Sequence, residues 1–171
     1  LARLDTSGYQ QTVASFLQHF DLDRNQADKL KLVAGILAGF TKIPYENLSK
    51  LIKYDQFHQD INALRMPDEV WDDFRTHQLG GTCFSLTFFL KSVLDTVGLD
   101  TSFAMADMNV GSDRHSALVL HHDNLTYLLD PGYVLDVPLP LDNQKRQLSR
   151  SSHSGVEIIP EEGFAYALYT F

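Results

Sequence analysis

The sequence predicts an α+β fold, with helices first and an antiparallel sheet after them. Three observations predict it. Apolar residues recur at helical spacing between Tyr9 and Val97, and the spacing changes to alternation beyond Gly98. Gly, Asp, Asn and Pro then punctuate the second half at strand-length intervals. Residues 1–98 are therefore read as a helical subdomain and 99–171 as an antiparallel β subdomain.

Ser7 stands where an N-cap is expected, ahead of Tyr9, Val13, Phe16, Leu17 and Phe20 on one helical face. Asn25, with Asp28 three residues on, has capping-box spacing at the head of a second helix carrying Leu30, Val33, Ile36, Leu37 and Phe40. Pro44 forces Ile43 into extended backbone, so Lys42–Leu48 reads as a connection between helices. Pro67 fits the first position of another helix. Asp68 and Glu69 follow in its first turn, where the positive dipole end favours carboxylates, and Val70, Trp71 and Phe74 form its apolar side. The last helix opens at Cys83 and carries Leu86, Phe89, Leu90, Val93, Leu94 and Val97 in one stripe, with Gly98 as its stop. Ser102–Met108, Ser116–His121 and Leu125–Leu129 read as strands. Pro138 and Pro140 end that section, and Asp142–Gly155 reads as a surface loop. Val156–Ile159 and Phe164–Phe171 are the two closing strands.

Bulk composition bounds the class. With 171 residues, 44% of them hydrophobic and 11% aromatic, the chain can bury a substantial core. A net charge of −8 argues against a dedicated nucleic-acid binder, whose surface carries excess cations. No apolar stretch approaches the roughly 20 residues of a membrane span, and Leu1–Asp5 lacks the apolar segment of a secretory signal. A start at Leu rather than Met points to a lost initiator, which leaves targeting open. The single cysteine rules out an internal disulfide and fits a reducing cytoplasm. Lys145, Arg146 and Arg150 form a compact basic cluster that reads as a solvated loop and, were an anionic ligand bound, as its candidate contact.

Cys83 follows Gly80-Gly81-Thr82 at the head of a strongly apolar helix. Unpaired N–H groups and the positive dipole end at that position stabilise a thiolate. A free cysteine is also a common core filler, and on this residue alone both readings stand. A thiol nucleophile needs a base and a group that orients the base. His115 heads the strand Ser116–Leu120 and Asp130 ends Leu125–Leu129, with His122-Asp123-Asn124 as the turn. A bend centred between His122 and Asp123 sets His115 opposite Asp130, with Cβ atoms about 5 Å apart. A two-residue turn at Asp123-Asn124 sets Gly132 opposite His115 instead. A carboxylate beside His115 would fix its tautomer and stabilise the imidazolium. His19, His58 and His77 fall in predicted helices or at their ends and read as surface residues. His121 and His122 are strand neighbours and point to opposite faces. With no second cysteine and no H-E-x-x-H spacing, no metal site is expected.

These segments also resemble a known family. Leu79-Gly80-Gly81-Thr82-Cys83-Phe84 resembles the R-G-G-x-C-[FW]-E segment of the arylamine N-acetyltransferases. His115-Ser116-Ala117-Leu118-Val119 resembles their H-x-x-L-x-V strand, and Asp130-Pro131-Gly132-Tyr133 their D-V-G-F. Ile43-Pro44-Tyr45-Glu46-Asn47-Leu48 is similar to I-P-F-E-N-L, and Leu168-Tyr169-Thr170-Phe171 to L-Y-x-F. The matches fall in family order. The resemblance implies a papain- or transglutaminase-like (cysteine-proteinase-like) core, with a helical bundle on a β-barrel-like sheet and a Cys83, His115, Asp130 triad. It implies two steps, in which acetyl passes from acetyl-CoA to Cys83 as a thioester and then to an arylamine, arylhydrazine or N-hydroxyarylamine. Gly132 and Tyr133 are the implied contacts to this cosubstrate. Small molecules are the implied partners, with no nucleic acid and no membrane; oligomeric state stays open.

The chain departs from the family pattern in three ways. Gln78-Leu79 stand where the family has Arg, Ser85 and Thr87 where it commonly has Glu and Asn, and the 171 residues end before its C-terminal third domain. Two further readings therefore stay in play: a transglutaminase-like amidase, peptidase or amide synthase using the same triad, and a non-catalytic relative.

Overall fold

The computed structural model describes residues 5–57, 63–150 and 155–171, and among them five α-helices precede seven strands. Helix α1 (Gln10–His19) buries Val13, Phe16 and Leu17. Ser7 does not cap it: Ser7–Tyr9 form a 3-10 turn that runs into α1, and the Ser7 N–H is itself donated to Asp5. Helix α2 (Lys29–Phe40) is capped by Asp28, whose carboxylate accepts from the Lys31 N–H at 3.0 Å. The cap is therefore Asp28 itself and not Asn25, because extended backbone at Asp28 carries its side chain over the orphan amides of the first turn. Helix α3 (Leu48–Phe57) follows, then α4 (Pro67–His77), where Pro67 takes the first position and Glu69 accepts the Met66 N–H at 2.9 Å. Helix α5 (Cys83–Thr96) ends as expected, with Gly98 at φ +78°.

The main core surrounds α5. Leu86, Phe89, Leu90, Val93 and Leu94 are sealed between Phe16, Phe40 and Trp71 on the helical side and Leu118, Leu120 and Leu129 on the sheet side. Phe89 packs edge-on to Phe16 and Phe40, with ring centroids 5.5 and 5.1 Å away. Each such fully buried side chain contributes roughly 1.5–3 kcal/mol. Buried Thr87 donates to the Ser116 carbonyl at 2.9 Å, which fixes the helix along the sheet.

The first sheet runs β1 (Thr101–Met108), β2 (Gly111–His122), β3 (Leu125–Leu129), β4 (Leu139–Pro140), antiparallel throughout. Ser116, Leu118 and Leu120 alternate toward the α5 core, which turns His115, Ala117 and Val119 to the other face. Asp123 and Asn124 form a two-residue turn with φ of +50° and +61°, and His122 pairs with Leu125. That register, continued, sets Gly132 and not Asp130 opposite His115.

The second sheet is β5 (Gln147–Arg150), β6 (Gly155–Pro160), β7 (Tyr166–Thr170). Strand β5 lies inside the segment read as a surface loop. Its stability comes from the ladder to β6, which a polar sequence does not advertise. Residues 151–154 of that segment lie outside the described residues. The two sheets stay separate and form no closed barrel among the described residues. A smaller core of Leu135, Leu139, Val156 and Ile158 joins them. Among the described residues no helix is long and apolar enough to cross a membrane.

Candidate active site

The turn that leads into α5 is clamped by the segment read as a mere connection. The Gly81 N–H donates to the Pro44 carbonyl at 3.1 Å, and the Glu46 N–H donates to the Gly81 carbonyl at 3.0 Å. A Cβ at Gly80 would lie 1.9 Å from the Pro44 oxygen, so only glycine fits. Thr82 then runs extended into the helix and leaves Cys83 in its first turn, 4% exposed.

Asp130 reaches His115 as a diagonal neighbour rather than from directly across. The two candidate registers differ by two positions, which preserves the sheet face, and the carboxylate spans the difference. His115 Nε2 and Asp130 Oδ2 are 2.7 Å apart, both residues buried. The other carboxylate oxygen accepts the N–H groups of Gly132 and Tyr133, each at 2.9 Å, so Asp130 is locked on both sides. Cys83 stands beside the same imidazole, and its sulfur lies 4.0 Å from the Arg114 carbonyl. Gly132 closes the cluster. A Cβ there would stand 2.8 Å from His115 Cε1 and 3.1 Å from Cys83 Cβ. Sulfur, imidazole and carboxylate therefore share one spot.

The electrostatics follow from that contact. Burial works to raise the Cys83 pKa, but the His115 hydrogen bond, the N–H groups of Ser116 and Phe84 and the imidazolium charge outweigh it, and the thiol is held below its ordinary value. Burial works to lower the His115 pKa, while the Asp130 and Cys83 hydrogen bonds and charges push it up to about 9. Each shift favours the charged form of its group, the thiolate of Cys83 and the imidazolium of His115. Two tyrosines flank it. Burial and then the Cys83 charge raise the Tyr45 phenol; burial, then Asp130 and Cys83, raise that of Tyr133, whose ring centroid is 4.7 Å from the imidazole. Beyond His115 a cavity of about 1190 Å³ opens between the sheets, walled by Ala104, Ala106, Ala117, Leu128, Ile158 and Leu168.

Against known families, a model described as N-acetyltransferase matches residues 31–168. The chain belongs to the N-acetyltransferase family. No curated protein matches the sequence. Solved structures that share the fold of this N-acetyltransferase chain include an arylamine N-acetyltransferase from Bacillus cereus, described with a Cys-His-Glu catalytic triad, at TM-score 0.67 and 18% identity over 95% of this chain and 65% of that one. An arylamine N-acetyltransferase from Salmonella typhimurium matches at TM-score 0.65 and 12% identity over 94% and 62%. One from Mycobacterium abscessus matches at TM-score 0.64 and 16% identity over 99% and 61%. The chain thus spans less than two thirds of the length of these structures.

The departures from the family pattern find local roles in this N-acetyltransferase chain. Gln78, at φ +56°, caps α4 by donating to the Phe74 carbonyl at 2.9 Å. Ser85 donates to the Thr82 carbonyl at 3.1 Å, and Thr87 holds β2. Sequence reasoning missed two residues. Tyr45 was visible only as the residue standing at the family's Phe. Arg65 carried no signal, yet its guanidinium donates to Asp73 at 2.8 Å and to the Gly80 carbonyl at 3.1 Å.

The remaining histidines stay apart from the triad: His19 and His77 are exposed, His121 meets Ser102 at 3.2 Å, and His122 lies beside Asp123. His58 lies outside the described residues. In the basic cluster, Arg146 pairs with Glu157 at 3.0 Å and Arg150 sits over the Phe171 ring. Among the described residues no group of His, Cys, Asp and Glu is arranged to hold a metal.

Proposed function

We propose that this chain carries the chemistry of an arylamine N-acetyltransferase, moving acetyl from acetyl-CoA through a Cys83 thioester to an aromatic amine, hydrazine or hydroxylamine. The contact of Cys83, His115 and Asp130 is the observation that carries this reading. The Cys83 thiolate attacks the thioester carbonyl of acetyl-CoA and forms the new S–C bond. As the tetrahedral adduct collapses, the C–S bond to CoA breaks and the departing thiolate takes the proton from the His115 imidazolium. The amine then attacks acetyl-Cys83, neutral His115 accepts its proton, and Cys83 leaves as thiolate, which restores the starting ion pair. Asp130 keeps the imidazole oriented and stabilises its charge through both halves.

The N–H groups of Gly132 and Tyr133 are taken by Asp130, and contact with the acyl donor is proposed for Gly132 and the Tyr133 side chain at the edge of the cavity. First-turn N–H groups of α5 are the proposed oxyanion donors.

Incubation with acetyl-CoA should add one acetyl group to Cys83, detected by intact mass, and an added arylamine should discharge it. Cys83→Ser should abolish both. An unmodified Cys83, or equal acetylation by the Ser variant, would refute the proposal.

A further inference from the structure

We propose that Arg65 is a positioning residue for the Cys83 nucleophile, holding the turn before α5 through the Gly80 carbonyl while anchored on Asp73. This rests on the reading of Cys83 as the nucleophile. Arg65 lies in the extended run ahead of α4, and its side chain is 7% exposed. A guanidinium that deep in the protein is held only by partners matching its planar fork, and here the fork is divided between two of them. Nη1 meets the Asp73 carboxylate at 2.8 Å and Nη2 meets the Gly80 carbonyl at 3.1 Å. Among the described residues no backbone N–H is donated to that carbonyl, so Arg65 is its hydrogen-bond donor.

Asp73 also offers its main-chain carbonyl to the Leu79 N–H at 3.3 Å. The end of α4, the Gly80 turn and Arg65 thus form a closed ring, in addition to the Pro44–Glu46 clamp. Held by both, the turn sets where α5 begins and where Sγ lies relative to the imidazole. A misplacement of about 1 Å is costly at such a site, so the position of the turn bears directly on how Cys83 meets His115.

Cys83 is the sole cysteine, so iodoacetamide labelling followed by intact mass reports on it alone. Wild type should label faster than a free thiol at about pH 6, where only a depressed pKa supplies thiolate. Arg65→Met, with unchanged circular dichroism, should label at least about tenfold slower there and equally fast at about pH 10, one pKa unit corresponding to tenfold. Arg65→Lys, which keeps the charge but lacks the fork, should fall between. A folded Arg65→Met with the wild-type profile overturns the proposal. If Arg65→Met does not fold, Arg65→Lys decides by the same comparison: a loss confined to the acidic side supports the role, and a wild-type profile overturns it. A wild-type thiol that labels fast at about pH 6 yet never takes acetyl from acetyl-CoA removes the acyl-transfer reading and leaves Arg65 standing. A wild-type thiol no faster than a free one removes the proposal itself.

Discussion

Cys83 and His115 shift each other's titration, and the signs can be worked out. His115 is raised to about 9 from 6.5, so its contribution to stability is complete below pH 6.5 and lost as pH rises through about 9. Cys83 is lowered from 9.0, so its contribution is present above pH 9 and lost as pH falls through the depressed value. Where the two windows overlap, below pH 9, the slopes oppose each other. Cys83→Ala removes one of them. Its melting temperature, relative to wild type, should decline as pH rises toward 9, because the wild type gains the thiolate contribution there and the variant does not; parallel curves would show that the Cys83 pKa is not depressed. The three residues that meet at the candidate site were legible in the sequence because strand parity puts His115 and Asp130 on one face in either register. Arg65 was not, since it acts on a main-chain carbonyl fifteen residues away, and no side-chain pattern records that.

Among the elements, the two glycines that bracket α5 do different work. Gly80 is glycine because Pro44 occupies the space of a side chain; Gly98 is glycine because its φ is +78°, with open space around it. Gly80→Ala should therefore displace the clamp, cost at least about 1–3 kcal/mol and slow Cys83 labelling at neutral pH. Gly98→Ala should cost about 1–2 kcal/mol of backbone strain and leave labelling unchanged. Thermal melting and iodoacetamide rates measured on both variants separate the two effects. The positions of α1, α2, α4 and α5 were legible from apolar spacing, which burial enforces; α3 was not, since Ser49 is the one residue it buries. Caps were less so, because Asp28 and Asn25 offer the same chemistry and only the backbone angle selects between them. Strand β5 escaped notice because its single apolar residue, Leu148, is exposed and its partner strand supplies the order.

At the scale of the molecule the two cores are unequal. The first gathers α1, α2, α4, α5 and one face of the first sheet; the second rests on Leu135, Leu139, Val156 and Ile158. Local opening follows buried apolar contact, so amides of β6 and β7 should exchange with deuterium at least about tenfold faster than those of α5 and β2. Equal protection across both sheets would instead mark one cooperative unit.

The sequence by itself determined that helices precede strands, the helix that carries Cys83 and the three candidate residues that the fold brings together. These follow from local periodicity and from side-chain chemistry, which need no knowledge of distant neighbours. Tertiary structure alone decided that the hairpin turns at Asp123-Asn124, that Asp130 meets His115 on the diagonal, that Pro44–Glu46 clamps the turn before Cys83 and that Arg65 bonds the Gly80 carbonyl of that turn. Those contacts join main-chain groups far apart in sequence, and a backbone carbonyl or amide looks the same at every position until the fold selects its partner.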